Sequence, residues 1–334
     1  MEVDFEPIRI PPTPALRRWS SQNGFAPELV ARWGEFYPDL QGLLRAMAQA
    51  PQTWLRLNGL RAPPEDTLRR MRERGMILED GPLPQAAKVV ETEFSAGATP
   101  EYLSGRYFLQ DLSSQLAPTA LDPQPGERIA DLSAAPGGKT VAIADMMGDD
   151  GVIAAFEIDR ARHQALTSNL ARCGVTSAVS WAKPGQSAKD LGEQFDAVLL
   201  DAPCTGEGVV SRDPRRRMGQ LQEYESCARE QASLLETAAA ITRPGGRIVY
   251  ATCTLAPEEN ELQVERAVKE LGLVVEDLPQ QLRDVKVGGQ ALFPGIQKLG
   301  TRELIPDVSK TLHALPHLHG ILGFYVARLR KEAS

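Results

Sequence analysis

The spacing of hydrophobic and polar positions changes period along this chain. Residues 25–48 read as helical. Residues 53–58, Thr-Trp-Leu-Arg-Leu-Asn, alternate as a half-buried strand does. A charged amphipathic stretch at 65–74 predicts a helix, and 86–91 a further strand. The β-α-β pattern predicts a small α+β unit over residues 1–105. Residues 107–120 read as a helix leading into a second, larger unit.

Beyond Glu127 the pattern becomes one of short apolar strands alternating with helices. Strands are expected at 128–132, 152–157, 195–201 and 247–252, and helices at 137–147, 160–172, 223–242 and 257–271. Pro244-Gly245-Gly246 reads as a turn. The run Phe195–Asp201 (FDAVLLD) is apolar without alternation, as strands buried on both faces are. Residues 106–334 are therefore expected to form a parallel sheet with helices on both faces, an α/β, Rossmann-like unit. Residues 273–276 and 322–329 would add a final antiparallel pair.

Composition narrows the class. At 334 residues, a large domain and a smaller one are expected. The 42% hydrophobic content suffices for a sizeable core, and no apolar run approaches the ~18 residues of a membrane span. The start, Met1 to Pro7, is acidic and lacks the apolar core of a signal peptide, so a cytoplasmic location without membrane contact is expected. The four cysteines, Cys173, Cys204, Cys227 and Cys253, include no CxxC pair, which argues against a zinc site and for free thiols. The net charge of −7 argues against a generally basic nucleic-acid surface. Arginines cluster locally, however, at Arg69, Arg70, Arg72 and Arg74 and at Arg212, Arg215, Arg216 and Arg217. The first cluster reads as a solvated helix face, the second as a phosphate contact.

The segment Asp131–Thr140 (DLSAAPGGKT) follows the first parallel strand. Glycines at such a turn let a ligand approach the backbone closely. Glu157 lies 19 residues after Gly138, near the ~20-residue spacing at which an acid meets ribose hydroxyls. GxGxxG is absent, and Ser133 stands where a P-loop needs its first glycine. An adenosine ligand without pyrophosphate fits best, with S-adenosylmethionine the leading candidate.

Asp201–Gly208 (DAPCTGEG) and Ala251–Thr254 (ATCT) each follow a buried strand, so Cys204 and Cys253 belong to the ligand-binding rim of the sheet. Carbon 5 of cytosine is a poor nucleophile. A thiolate adding to carbon 6 activates it, and an acid such as Asp201 at ring nitrogen 3 assists. A second thiol can assist release. The chemistry leaves open which cysteine does which.

These motifs, with Tyr107–Ser114 and Pro316–Arg328, resemble the RNA 5-methylcytosine methyltransferases of the NOL/NOP/Sun family over roughly residues 50–330. The resemblance implies Cys253 as nucleophile, Cys204 as the release cysteine, Asp201 as the acid at the base and Lys139 as an active-site lysine. It implies a cofactor site of Ser133, Ala134, Ala135, Pro136, Gly137 and Gly138, with Lys139, Glu157, Arg162 and Asp201. The N-terminal unit would resemble an RNA-recognition fold and help hold RNA. Its compactness resembles the family's tRNA-modifying members, which puts transfer RNA ahead of ribosomal RNA as substrate, with no metal and no obligate protein partner implied.

Two positions depart from the family. Pro184 stands where an acid usually meets the adenine amine, leaving Gln186 or a backbone carbonyl for that role, and Leu322 stands where an acid often precedes Gly323. The first departure leaves a catalytically silent RNA-binding or ribosome-assembly factor as a competitor. Methylation of an exocyclic amine, which needs no thiol, is another. Pro257-Glu258-Glu259-Asn260 reads first as a helix start. His317 and His319 are equally compatible with RNA contact and with packing.

Overall fold

The computed structural model of the protein describes residues 6–333. The acidic stretch read at the N-terminus lies mostly outside the described residues. No described helix is long and apolar enough to cross a membrane.

The first strands build a small sheet. Strands β1 (Thr53–Leu57), β2 (Ile77–Asp80), β3 (Ala86–Glu91) and β4 (Tyr107–Leu109) pair antiparallel in the order β2-β3-β1-β4. Helix Pro64–Glu73 connects β1 to β2, and the short helix Pro100–Leu103 precedes β4. This is the βαββαβ order of a ferredoxin-like fold. Two expectations change here. Residues 107–109 are a strand, with the helix starting only at Leu112 (Leu112–Leu121), because Tyr107 and Phe108 pair across the sheet with Leu57 and Arg56. The small sheet thus takes its edge strand from beyond residue 105. β2, too short to show a period of its own, went unread.

The arginines at 69–74 are neutralised locally, by Asp66, Glu73, Asp80 and Glu101. That helix face is solvated and charge-balanced, so it offers little to phosphate.

The large sheet runs β7 (Ala178–Trp181), β6 (Val152–Phe156), β5 (Arg128–Asp131), β8 (Phe195–Asp201) and β9 (Thr242–Thr252), all parallel. It continues into antiparallel β12 (Phe324–Lys331), which also pairs with β10 (Leu273–Glu276) and β11 (Leu312–Ala314). Alternate residues face opposite cores. Ile129, Ala197, Leu199 and Val249 pack with helices Leu112–Leu121 and Gly138–Met146, while Ala130, Val198, Leu200 and Ile248 pack with helices Leu221–Ile241 and Glu261–Leu271. Burial on both faces explains the unbroken apolar runs. The expected turn at 244–246 is a bulge inside β9, which pairs Phe195 with Thr242 and Ala197 with Arg247. The connection order reverses at β5, so the crevice beyond the ends of β5 and β8 is the natural ligand position.

The first helices, Pro14–Asn23, Pro27–Phe36 and Leu40–Ala48, do not join the small sheet. The loop at Tyr37-Pro38 breaks the single helical stretch expected over 25–48. Leu29, Val30, Trp33, Tyr37 and Leu43 pack on Val210, Tyr224, Leu255 and Leu315, which belong to the large unit. Arg32 makes a two-pronged ion pair with Glu258 at 2.9 and 2.7 Å, both fully buried. Trp33 donates to Glu207, and the Tyr37 hydroxyl to the carbonyl of Leu255 at 2.6 Å. The N-terminal helices therefore buttress the segments that follow Cys204 and Cys253.

The segment 257–260 is a 3-10 turn leading into helix Glu261–Leu271, but its side chains do more than start that helix. Glu259 is fully buried. It accepts from the Thr205 amide at 3.0 Å and from Gln231 at 2.9 Å through one oxygen, and meets the Thr205 hydroxyl with the other. Asn260 accepts from Thr252 and donates to the Thr254 carbonyl at 3.2 Å. The hydroxyls of Thr205 and Thr254 meet at 2.9 Å. Glu259 and Asn260, with the paired threonine hydroxyls, thus clamp the loop after β8 to the loop after β9.

Stability should respond in two ways. Removing one partner of a buried ion pair leaves an uncompensated charge, so Arg32→Ala should destabilise by about 3–5 kcal/mol in urea titrations; a loss under about 1 kcal/mol would show the pair to be idle. Burial pushes the Glu259 carboxyl up to about 7 from its ordinary 4.5. An acid raised on folding stabilises fully below its ordinary value, and that contribution disappears as pH rises through the raised one. Glu259→Gln can keep the same hydrogen bonds without a charge. Its stability should fall less than wild type between about pH 5 and about pH 8, and parallel slopes would refute the assignment.

Candidate active site

The loop after β5 is shaped by a buried acid. Asp131 accepts from the Thr140 hydroxyl at 2.7 Å and from the Ser133 amide at 3.4 Å, and burial raises its carboxyl to about 6. Gly137 takes φ +102°, a left-handed conformation, and a Cβ there would press on Leu166 at 3.0 Å. Helix Gly138–Met146 starts immediately beyond and carries Lys139 into the crevice.

That crevice is a cleft of about 650 Å³. Ser133, Lys139, Glu157, Arg162, Asp201, Cys204 and Cys253 all line it, drawn from β5, β6, β8 and β9 or the segments that follow them. Ala134, Ala135, Pro136 and Gly138 face a smaller side cavity, and Gly137 lines neither. Glu157, almost fully buried at the end of β6, accepts from the Asp159 amide at 2.9 Å and pairs with Arg162 at 3.4 Å. Arg162 also donates to the Ala135 carbonyl at 3.0 Å, tying the first loop to the second.

Sequence reasoning passed over Ile158, which is 66% exposed despite being apolar and lies in the cleft beside Pro184 and Leu234. An apolar residue directly after a strand-end acid was the available signal. Gln186 lines the same end and donates its amide to Ser233 at 3.4 Å, leaving its carbonyl oxygen without a donor in that bond. Gly185 approaches β5 so closely that a Cβ would lie 2.4 Å from the Leu132 carbonyl.

At the other end of the cleft the two thiols lie 3.2 Å apart, both free. β8 and β9 are parallel neighbours pairing Asp201 with Ala251, so the loops beyond them run side by side. Gly208 holds them close: its amide donates to the Cys253 carbonyl at 2.9 Å, and a Cβ would collide with that oxygen and with Gly323. The pair is electrostatically unequal. The hydrogen bond from Cys204 pulls the Cys253 thiol below its usual range, with Lys139 assisting against burial and Asp201. The same bond and burial push Cys204 well above its usual range. Lys139 and Asp201 form an ion pair at 2.6 Å beside them.

Several candidates do other work. Cys173 is buried among Phe108, Val141 and Leu170. His319 is buried, accepts from the Leu315 amide at 2.8 Å and meets the Ala291 carbonyl at 3.0 Å. His317 meets the Pro38 carbonyl at 2.8 Å. Both histidines serve packing, the first within the C-terminal segment and the second to the N-terminal helices. In the second arginine cluster, Arg215 and Arg216 pair with Asp213, Arg216 also donates to the Thr205 carbonyl at 2.6 Å, and Arg217 lies over the Phe25 ring.

Comparison with known proteins agrees with this architecture. A model described as a ferredoxin-like domain of RsmF/B-like methyltransferases matches residues 27–94. The 28S rRNA (cytosine-C(5))-methyltransferase of Mus musculus is 35% identical over 91% of this chain and 38% of its own length. The ribosomal RNA small subunit methyltransferase F of Escherichia coli is 40% identical over 72% of this chain and 48% of its own. The chain thus spans less than half the length of these two relatives. A crystal structure of a methyltransferase homolog protein from Pyrococcus horikoshii superposes with a TM-score of 0.85 and 30% identity, covering 96% of this chain and 99% of that one. The model described as 16S rRNA methyltransferase RsmB/F matches residues 118–330, more than half of the sequence and every residue lining the crevice beyond β5 and β8 except Ser113 and Ser114, so the chain belongs to that family.

Proposed function

We propose that this chain transfers a methyl group from S-adenosylmethionine to carbon 5 of a cytosine in ribosomal RNA. One observation carries the reading: two thiols 3.2 Å apart, one lowered and one raised, beside an ion-paired acid in a nucleoside-sized cleft.

The residues present fit the cofactor. Glu157 suits ribose hydroxyls. Ile158, Pro184 and Leu234 offer apolar surface for a flat ring, and Gln186 an acceptor for its amine in place of the acid that Pro184 displaces. When bound, the cofactor supplies an electrophilic methyl group on a positively charged sulfur.

The protein's own groups do the rest. Cys253 is the nucleophile: its sulfur forms a bond to carbon 6, and the electron pair displaced from the ring double bond makes carbon 5 nucleophilic. Asp201 faces ring nitrogen 3 and the exocyclic amine, where charge changes as the adduct forms. Lys139 fixes Asp201 and favours the Cys253 thiolate. Once the methyl is in place, Cys204 can give its proton to the departing Cys253 sulfur, 3.2 Å away, and as a thiolate take the carbon 5 proton, whose electron pair re-forms the ring double bond as the carbon 6–sulfur bond breaks. The target base must leave its stack to reach Cys253.

Ribosomal RNA replaces transfer RNA as the favoured substrate. The compact N-terminal unit does not discriminate between them, since a ferredoxin-like unit is described for RsmF/B-like methyltransferases as well. The relatives compared are named for ribosomal RNA. Division of the chain at about residue 105 is proposed to separate RNA holding from chemistry, with residues 14–48 serving the catalytic side.

Bisulfite sequencing of ribosomal RNA from cells with and without this protein tests the reading; a protected cytosine should disappear with the protein. No detectable S-adenosylmethionine binding would favour a silent RNA-binding factor instead. Cys253→Ala should reduce methyl transfer to background and form no adduct, while Cys204→Ala should accumulate a covalent protein–RNA complex on denaturing gels. The same phenotype in both would undo the division of roles. Lys139→Met should shift the acidic limb of the pH–rate profile upward, because the thiolate loses a favourable cation. An unmoved limb would free Lys139 from that role.

A further inference from the structure

A side cavity of about 150 Å³ opens beside the cysteine cleft, toward the small sheet. The two spaces share Ser114, Ser133, Lys139, Asp201 and Arg212. Phe108, Gln110 and Asp111 line it as well, together with the loop residues Ala134, Ala135 and Pro136. The volume is small beside the ~300–1,000 Å³ of ordinary ligand pockets, so it suits one sugar ring with its substituents.

Asp111 is the unusual group. It caps helix Leu112–Leu121 with Oδ1, which accepts from the Ser113 amide at 2.9 Å and the Leu322 amide at 3.4 Å. A cap needs only one oxygen. Oδ2 has no hydrogen-bond partner among the described residues, although Asp111 is only 3% exposed. A buried acceptor left unsatisfied is costly, which makes Oδ2 a position for a ligand's donor.

Across the cavity stands Arg212. Unlike its neighbours Arg215, Arg216 and Arg217, its side chain makes no hydrogen bond or ion pair within the protein among the described residues. Its charge reaches Asp111 without contact. The space between them calls for one group that donates a hydrogen bond at one end and carries negative charge at the other. Ribose 5′-phosphate has that form, and its 2′-hydroxyl is what distinguishes RNA from DNA at a given site.

Resting on the proposed function, we propose that this cavity holds the ribose and phosphate of the target nucleotide, with the 2′-hydroxyl donating to Asp111 Oδ2 and the phosphate on Arg212, so that Asp111 selects RNA over DNA. The base then lies in the adjoining cleft against Asp201, one sugar away.

The test compares a short single-stranded RNA containing one cytidine with the same oligonucleotide carrying 2′-deoxycytidine there. Fluorescence anisotropy gives both affinities, with methyl transfer measured in parallel. Wild type should prefer the ribo form by roughly tenfold, as expected for a hydrogen bond to a charged group. Asp111→Ser keeps a cap oxygen but removes Oδ2, and should bring the ratio close to one by weakening the ribo form alone. Asp111→Asn, a backup should the serine variant fold poorly, should narrow it. Arg212→Gln should weaken both oligonucleotides equally and reduce the salt slope by about one. S-adenosylmethionine affinity should not change in any variant. Equal wild-type affinities, a ratio unaffected by Asp111→Ser, or no RNA binding would overturn the proposal. A ratio that behaves as expected without methyl transfer would leave this site standing and overturn the proposed function instead.

Discussion

The buried run Glu258-Glu259-Asn260 is the constraint on which the rest of the site depends. It sits just past β9 and sends three polar side chains in three directions: to Arg32 on the N-terminal helices, to Thr205 and Gln231 beside the first cysteine loop, and to Thr252 and Thr254 around the second. None of these groups can be buried without its partners, because an unpaired charge or amide in the interior is costly. Satisfying them fixes the two loops at one separation. A thiol–thiol distance of 3.2 Å is therefore a property of the clamp more than of the cysteines.

From that distance comes the electrostatic asymmetry. Two thiols in contact cannot both ionise; one becomes the donor and the other the acceptor. The hydrogen bond between them lowers Cys253 and raises Cys204, and Lys139 favours the Cys253 thiolate against burial and Asp201. Lys139 is itself held by Asp201, and the loop carrying Lys139 by the buried Asp131. Acids thus control the site at several depths, two with carboxyls raised by burial, Asp131 and Glu259.

How much of this is legible in the sequence varies by residue. The central strands of the large sheet can be read closely, because burial on both faces leaves apolar runs that no helix of that length would carry, whereas the half-exposed edge strand β7 carries no such run and was not expected. Cys204 and Cys253 can be placed on one rim, since both follow such runs. β2 and β4 cannot be read: at four and three residues they rely on cross-strand pairing rather than on a period of their own. Glu259 reads as an ordinary first-turn acid, because nothing in a linear pattern marks the threonine fifty-four positions away that it holds. His319 stays open for the same reason.

The sequence by itself determined the two kinds of sheet, the position of the ligand crevice and the residue types that could do chemistry there, because these depend on local periodicity and on which residues end a buried strand. The tertiary structure decided the rest. It turned the N-terminal helices away from the small sheet and onto the cysteine loops, through a buried ion pair between residues more than two hundred positions apart. It neutralised one arginine cluster and left Arg212 of the other facing a cavity. It made Asp111, which the sequence placed inside a helix, the cap of that helix, and brought it to the wall of that cavity with an oxygen to spare. These features arise from the pairing of polar groups distant along the chain, and that pairing exists only once the chain has closed around them.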